Sequence, residues 1–164
     1  LWLSIFERQA MRAVVQRVSR ARVLLGETEH CAIGKGLFVL LGLGKDDTED
    51  DLAYLVNKII NLRIFEDSNG KMNLSVVDVG GSIAVVSQFT LFGETRKGNR
   101  PSFSEAMPIA MAQSFWEKVV HAFSQTKVPC VFGVFQAMMK CELVNDGPVT
   151  IIIDSTDRLR PRRG

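Results

Sequence analysis

Four consecutive residues, Ser87-Gln88-Phe89-Thr90, carry the side chains best suited to acyl-group chemistry. Two hydroxyls, one amide and the backbone N–H groups around them can bind a carbonyl oxygen or a developing oxyanion. Thr90 is a candidate nucleophile, but a threonine hydroxyl is weak without an adjacent base, and none is visible in the surrounding chain. A strand end satisfying its own hydrogen bonds would use the same residue types. Both readings stand on the residues alone.

A second stretch, Asn145-Asp146-Gly147-Pro148-Val149-Thr150, is odd for its setting. Apolar and β-branched residues flank it, at 138–144 and 149–153, and both flanks read as strands. Asn, Asp and Gly tolerate left-handed backbone, and Pro fixes φ and lacks a donor. A β-hairpin loop is one reading. The other is a backbone wedge, with Gly147 and Pro148 pushed into a pocket so that main-chain carbonyls do the recognising. A cis Gly147–Pro148 bond would suit the wedge.

Other catalytic signatures are missing. His30 and His121 are the only histidines, and neither stands at a metal-ligand spacing to a cysteine or to the other, so no metal or cofactor is expected. The chain holds no G-x-S-x-G, P-loop or dinucleotide fingerprint. Gly34-Lys35-Gly36 and Gly42-Leu43-Gly44 read as turns rather than phosphate cradles. The pattern speaks against a Ser-His-Asp hydrolase and a metallohydrolase.

The elements that must position these residues follow from periodicity. Residues 12–18 alternate and continue as a strand to 25, residues 29–33 complete a hairpin, and 37–43 form a continuous apolar run buried on both faces. A helix begins around 45–48, with Leu52, Leu55, Val56, Ile59 and Ile60 on one face. Residues 63–65 are extended, 67–70 a turn, 71–76 a short strand, and 80–81 a further turn. Residues 82–87 read as a central strand running straight into 88–91. A basic loop covers 93–104. Pro108 suits the first turn of a second helix striped by Ala112, Phe115, Trp116, Val119, Val120 and Phe123. A loop or short strand at 130–135 and the two strands around Pro148 finish an α+β domain with two helices on mostly β structure.

Length and charge bound the rest. At 164 residues the chain suits one domain with a real core. A net charge of +2 advertises no global field for nucleic acid, although Arg96, Lys97 and Arg100 cluster in one loop and four arginines in the tail. Three cysteines in no CxxC pair argue against a disulfide framework and fit a cytoplasmic setting. No apolar run is long enough for a membrane span. Residues 1–10 read as an N-terminal extension or cloning remnant outside the fold, 11–154 as a single domain, and 155–164 as a frayed basic tail.

The residues at 87–91 (Ser-Gln-Phe-Thr-Leu), 145–150 (Asn-Asp-Gly-Pro-Val-Thr) and 11–18 (Met-Arg-Ala-Val-Val-Gln-Arg-Val) together resemble the D-aminoacyl-tRNA deacylases, also called D-tyrosyl-tRNA deacylases. Residues 70–74, 80–81 and 100–103 extend the resemblance, which runs in order over about 11–154. Each motif alone is weak, and the ordered set is specific. The resemblance implies a homodimer with a β-barrel-like sheet core and two main outer helices, its sites at the subunit interface. It implies hydrolysis of the ester joining a D-amino acid, or glycine misplaced on alanine tRNA, to the tRNA 3′ end.

By the same resemblance, Ser87, Gln88, Phe89 and Thr90 form the catalytic motif. Gly147 and Pro148 form the Gly-cis-Pro motif that enters the partner's site, with Arg17 bracing it and Asn145, Val149 and Thr150 completing the segment. The terminal ribose 2′-hydroxyl, rather than Thr90, is then the catalytic helper. The stretch Phe92-Gly93-Glu94 departs from the family pattern, and Arg96, Lys97 and Arg100 are expected to meet tRNA phosphates. A Thr90-dependent esterase and a DNA-binding protein remain the rival readings.

Overall fold

The computed structural model describes residues 9–161. Residues 1–8 of the expected extension, and Arg162 and Arg163 of the basic tail, lie outside the described residues. A six-stranded mixed sheet, nearly closed into a barrel, carries two helices. Its strands are β1 (Arg12–Leu25), β2 (Thr28–Ile33), β3 (Gly36–Gly42), β6 (Ser82–Ser87), β7 (Cys130–Phe132) and β8 (Lys140–Asp154), with β4 (Phe65–Glu66) and β5 (Met72–Leu74) pairing separately. The helices are α1 (Glu49–Asn61) and α2 (Ile109–Ser124).

β1 is the hub. One of its edges pairs antiparallel with β8 along most of its length; the other pairs with β3 over its first half and β2 over its second. β3 pairs parallel with β6, and β6 with β7. As its unbroken apolar run predicts, β3 is buried on both faces. Leu37, Val39 and Leu41 enter the cluster beneath the helices, and Phe38 enters a second with Val18, Ala21, Val23, Ile33, Ala84 and Val86. Register shifts between Gln16 and Val18 and between Val18 and Arg20 interrupt the β1–β8 ladder and bend it locally. Closure comes from side chains: the His30 ring and the Cys31 thiol both reach the Phe132 carbonyl, bringing β2 against β7.

α1 forms where its sequence puts an acidic first turn and an apolar stripe. Thr48 caps it, and the Asp51 carboxylate accepts from the Thr48 backbone N–H at 2.8 Å. The pair is a capping box. Leu55 and Ile59 are wholly buried. Each contributes about 1.5–3 kcal/mol by leaving water. α2 buries Ala112, Phe115, Trp116, Val119 and Phe123, and Pro108 stands at its N-cap rather than inside its first turn.

Four expectations need correction. The two strands around Pro148 are one strand, β8, because both flanks pair with the same edge of β1. The central strand does not run on through 88–91, where a 3-10 helix (Phe89–Phe92) turns off the sheet. Residues 155–159 do not fray: Ser155–Leu159 is a second 3-10 helix, with Asp154 accepting from the Thr156 N–H at 2.9 Å and Arg158 reaching the buried Asp51 carboxylate at 3.4 Å. Ala10, expected outside the fold, is fully buried.

Candidate active site

β6 delivers the first cluster. Ser87 pairs with Leu41, and the Gln88 N–H donates to the Leu41 carbonyl at 2.9 Å as the chain leaves the sheet. Phe92 must then return to the core, where it is 1% exposed, and the turn does this in one tight step. Gly42 makes the step possible: a Cβ there would lie 2.9 Å from Phe92 Cε2 and 3.2 Å from the Gln88 carbonyl oxygen. The turn leaves Thr90 and Phe89 exposed and Ser87 and Gln88 half-buried, with Phe89 edge-on to Phe103 at 5.1 Å.

The Gln88 amide donates to the Thr90 hydroxyl oxygen. Neither histidine serves that hydroxyl as a base: His30 is engaged with the Phe132 carbonyl at 3.1 Å, and His121 is exposed on α2. Burial pushes the Cys31, Cys130 and Cys141 thiols above their ordinary pKa. That keeps them protonated at neutral pH and poor as nucleophiles. The cluster can orient and polarise an ester, but it holds no activated nucleophile. Among the described residues no group of three or more His, Cys, Asp or Glu is placed to hold a metal ion.

β8 delivers the second cluster, as a bulge. Gln16 pairs with Thr150 and Val18 with Asn145, so residues 146–149 lie opposite Arg17 alone. The surplus chain is pushed outward, and Asp146, Gly147 and Pro148 are exposed. The Gly147–Pro148 bond is cis, and Gly147 has φ of +134°. Only glycine adopts that φ readily. Side chains brace the base of the bulge. Arg17, buried, donates from Nε to the Asp146 carbonyl and from Nη1 to the Ile64 carbonyl, each at 2.8 Å. The Asn145 side chain accepts from the Val149 N–H at 2.8 Å and donates to the Thr150 hydroxyl at 2.9 Å, while Val149 is buried as the anchor. Thus Arg17, Asn145, Val149 and Thr150 hold Gly147 and Pro148 out as a braced projection.

One chain does not bring the two clusters together. Ser87 is level with Leu41 and Ala13, whereas the bulge is level with Arg17, and β8 is separated from β6 by β1 and β3. Strand rise and spacing put the clusters roughly 20 Å apart along the sheet. The basic loop is better placed. It follows the 3-10 turn directly, is pinned by a Glu94–Ser102 bridge, and packs Phe103 on Phe89. Arg96 pairs with Glu94 at 2.9 Å and holds that carboxyl below its ordinary pKa; Lys97 and Arg100 are exposed.

Sequence reasoning misses Arg12 and Gly42, both of which touch the 87–92 segment. Gly42 is legible only as a turn glycine, because its use depends on what packs over it. Arg12 reads merely as one charge in an arginine-rich stretch.

The family model for D-Tyr-tRNA(Tyr) deacylase matches residues 14–154. The chain is 57% identical over 145 residues to a D-aminoacyl-tRNA deacylase of Koribacter versatilis (strain Ellin345), covering 88% of this chain and 97% of that one. It is 53% identical over 148 residues to a D-aminoacyl-tRNA deacylase of Thermosipho africanus (strain TCF52B), with the same coverage. A solved structure described as a c-Myc DNA Unwinding Element Binding Protein superposes with a TM-score of 0.82 at 45% identity, over 87% of this chain and 97% of that chain. A probable eukaryotic D-amino acid tRNA deacylase superposes with a TM-score of 0.74 over 88% and 98% of the two chains, and at 16% identity this likeness concerns the fold.

Proposed function

Because the chain belongs to the D-Tyr-tRNA(Tyr) deacylase family, we propose that it proofreads chirality, hydrolysing D-aminoacyl-tRNA at a site completed by a second copy of itself. Membership makes it a hydrolase of aminoacyl-tRNA esters. The observation that carries the finer reading is the braced, outward bulge at Gly147–Pro148, held well away along the sheet from its own chain's Ser87–Thr90. Two parts of one site that cannot meet within a chain can meet between chains. β8 pairs only β1 among the described residues and exposes Val144 and Ile152. Its outer edge is therefore open to a partner.

D and L esters differ by exchanging a hydrogen and a side chain at one carbon. Affinity for side-chain chemistry cannot separate them, and rigid sterics can. In this reading, main-chain carbonyls at Gly147 and Pro148 accept from the substrate ammonium group. An L side chain then collides with the bulge, while a D side chain points away and glycine presents only hydrogen. Glycine on alanine tRNA is therefore a second substrate of the same site.

An aminoacyl ester is already activated, so positioning and oxyanion stabilisation suffice without a triad. Ser87 and Gln88 orient the carbonyl, and the neighbouring ribose 2′-hydroxyl assists water. The acyl C–O bond breaks, the carboxyl group retains the water oxygen, and the 3′-oxygen takes a proton. Lys97 and Arg100 meet tRNA phosphates beside the site. Localisation to the cytoplasm follows from this substrate; no described helix is long and apolar enough to cross a membrane.

Subunit mixing tests the shared site. A Gly147→Ala chain and a Gln88→Ala chain, each weak alone, should recover D-tyrosyl-tRNA hydrolysis when refolded together, because one site per mixed dimer is intact. No recovery, with mixed dimers present, ends the shared-site reading. DNA binding is a second reading, favoured by the 45%-identical solved relative described as binding a DNA unwinding element. A gel shift with duplex DNA beside the deacylation assay separates the two.

A further inference from the structure

At one end of the sheet the register sets Asp154 opposite Arg12 and Arg12 opposite Gly42, and Gln88 follows Ser87 alongside that row. The Arg12 guanidinium reaches from this row to the 89–92 turn, which packs over Gly42. It donates from Nη1 to the Leu91 carbonyl at 3.2 Å and from Nη2 to Asp154 Oδ2 at 3.2 Å, and sits over the Phe92 ring at 5.9 Å. The Arg12 and Asp154 side chains are 30% and 22% exposed. In such a setting an ion pair adds little to stability. Its geometry matters more. Both ends of the 89–92 turn are held: Gln88 by the β3 backbone, and Leu91 and Phe92 by Arg12.

The far side of the tether is itself anchored. Asp154 Oδ1 accepts from the Thr156 N–H at 2.9 Å and its hydroxyl at 2.7 Å, fixing the carboxylate that fixes Arg12. The Met11 N–H donates to Asp47 at 2.8 Å, and the Ser155 N–H donates to the Met11 carbonyl at 2.9 Å. The start of β1 is thereby tied to Asp47 and to Ser155.

We propose that Arg12 is a positioning residue for ester hydrolysis, acting through the Leu91 carbonyl and the Phe92 ring to hold the turn that carries Gln88 and Thr90. The proposal rests on the reading of residues 87–90 as the reaction centre. Arginine is suited to it because one planar fork serves two acceptors while its face covers a ring. A lysine ammonium can keep Asp154 and stay over the Phe92 ring, but it cannot also span to Leu91 in the same pose.

Two readouts on Arg12→Ala and Arg12→Lys test this, both on the intact protein well below its melting temperature. Amide exchange in peptides covering 88–93 reports the tether, and kcat and KM for D-tyrosyl-tRNA report its use. We expect faster exchange confined to 88–93 and a kcat loss on the order of 10- to 100-fold in Arg12→Ala. KM should stay within about twofold, the pattern of an interaction used only in the transition state. Arg12→Lys should recover part of kcat, and it carries the same test if the alanine variant does not fold. Unchanged exchange at 88–93 overturns the tether and leaves the reading of the reaction centre intact. Faster exchange with unchanged kcat overturns the reading of 87–90, and the proposal with it.

Discussion

Arg17 donates from Nε to the main-chain carbonyl of Asp146 at 2.8 Å, so a buried cation on β1 grips the backbone of the β8 bulge. The same guanidinium holds the Ile64 carbonyl at 2.8 Å. Arg17→Ala would leave both acceptors without their donor. We expect a destabilisation of about 1–3 kcal/mol in urea denaturation, because the Ile64 carbonyl is buried and would be left without its donor. Arg17→Lys should lose less, since one ammonium can serve one carbonyl. A loss under about 0.5 kcal/mol for the alanine variant would mean that the bulge does not depend on Arg17.

Gly42→Ala tests the packing of the 89–92 turn. The new Cβ would stand 2.9 Å from Phe92 Cε2 and 3.2 Å from the Gln88 carbonyl, which is backbone and cannot rotate away. Stability should fall by about 1–3 kcal/mol. Deacylation should fall further than stability explains, on the order of 10-fold or more at a temperature where the variant is fully folded. Wild-type kcat would contradict the placement of the turn.

Thr90 accepts a hydrogen bond from the Gln88 amide, and neither histidine serves it as a base. Thr90→Ala should therefore retain deacylation within about 10-fold of the wild type, and tRNA ending in 2′-deoxyadenosine should be hydrolysed far more slowly than its ribose counterpart. Abolished activity in Thr90→Ala would restore the threonine esterase reading.

The basic loop makes an electrostatic prediction. Arg96 is paired to Glu94, so its share of phosphate binding is smaller than that of Lys97 and Arg100. Replacing all three by alanine should lower the slope of log affinity for tRNA against log salt by about 1–2. An unchanged slope removes the loop from the tRNA interface.

Periodicity marks β1, α1 and α2, because each buries a face whose spacing is written in its own residues, and an unbroken apolar run marks β3. The two motif stretches are equally legible as unusual. Their shapes are not. Turn chemistry at 145–148 fits a hairpin and a bulge alike, and only the pairing of both flanks with β1 decides for the bulge. The 89–92 turn depends on Gly42, far away in sequence, making room for Phe92. The packing of Ser155–Leu159 likewise depends on a buried Asp51 that, in sequence, reads as one more carboxylate in a helix's first turn. Contacts at long sequence separation decide each of these.

Parallel hydrolysis of D- and L-tyrosyl-tRNA by the wild-type protein tests the central claim most directly. A main-chain projection that excludes an L side chain should give a D-to-L ratio in kcat/KM on the order of 100 or more, since the discrimination is a steric clash rather than a lost contact. Equal rates on the two substrates would contradict it.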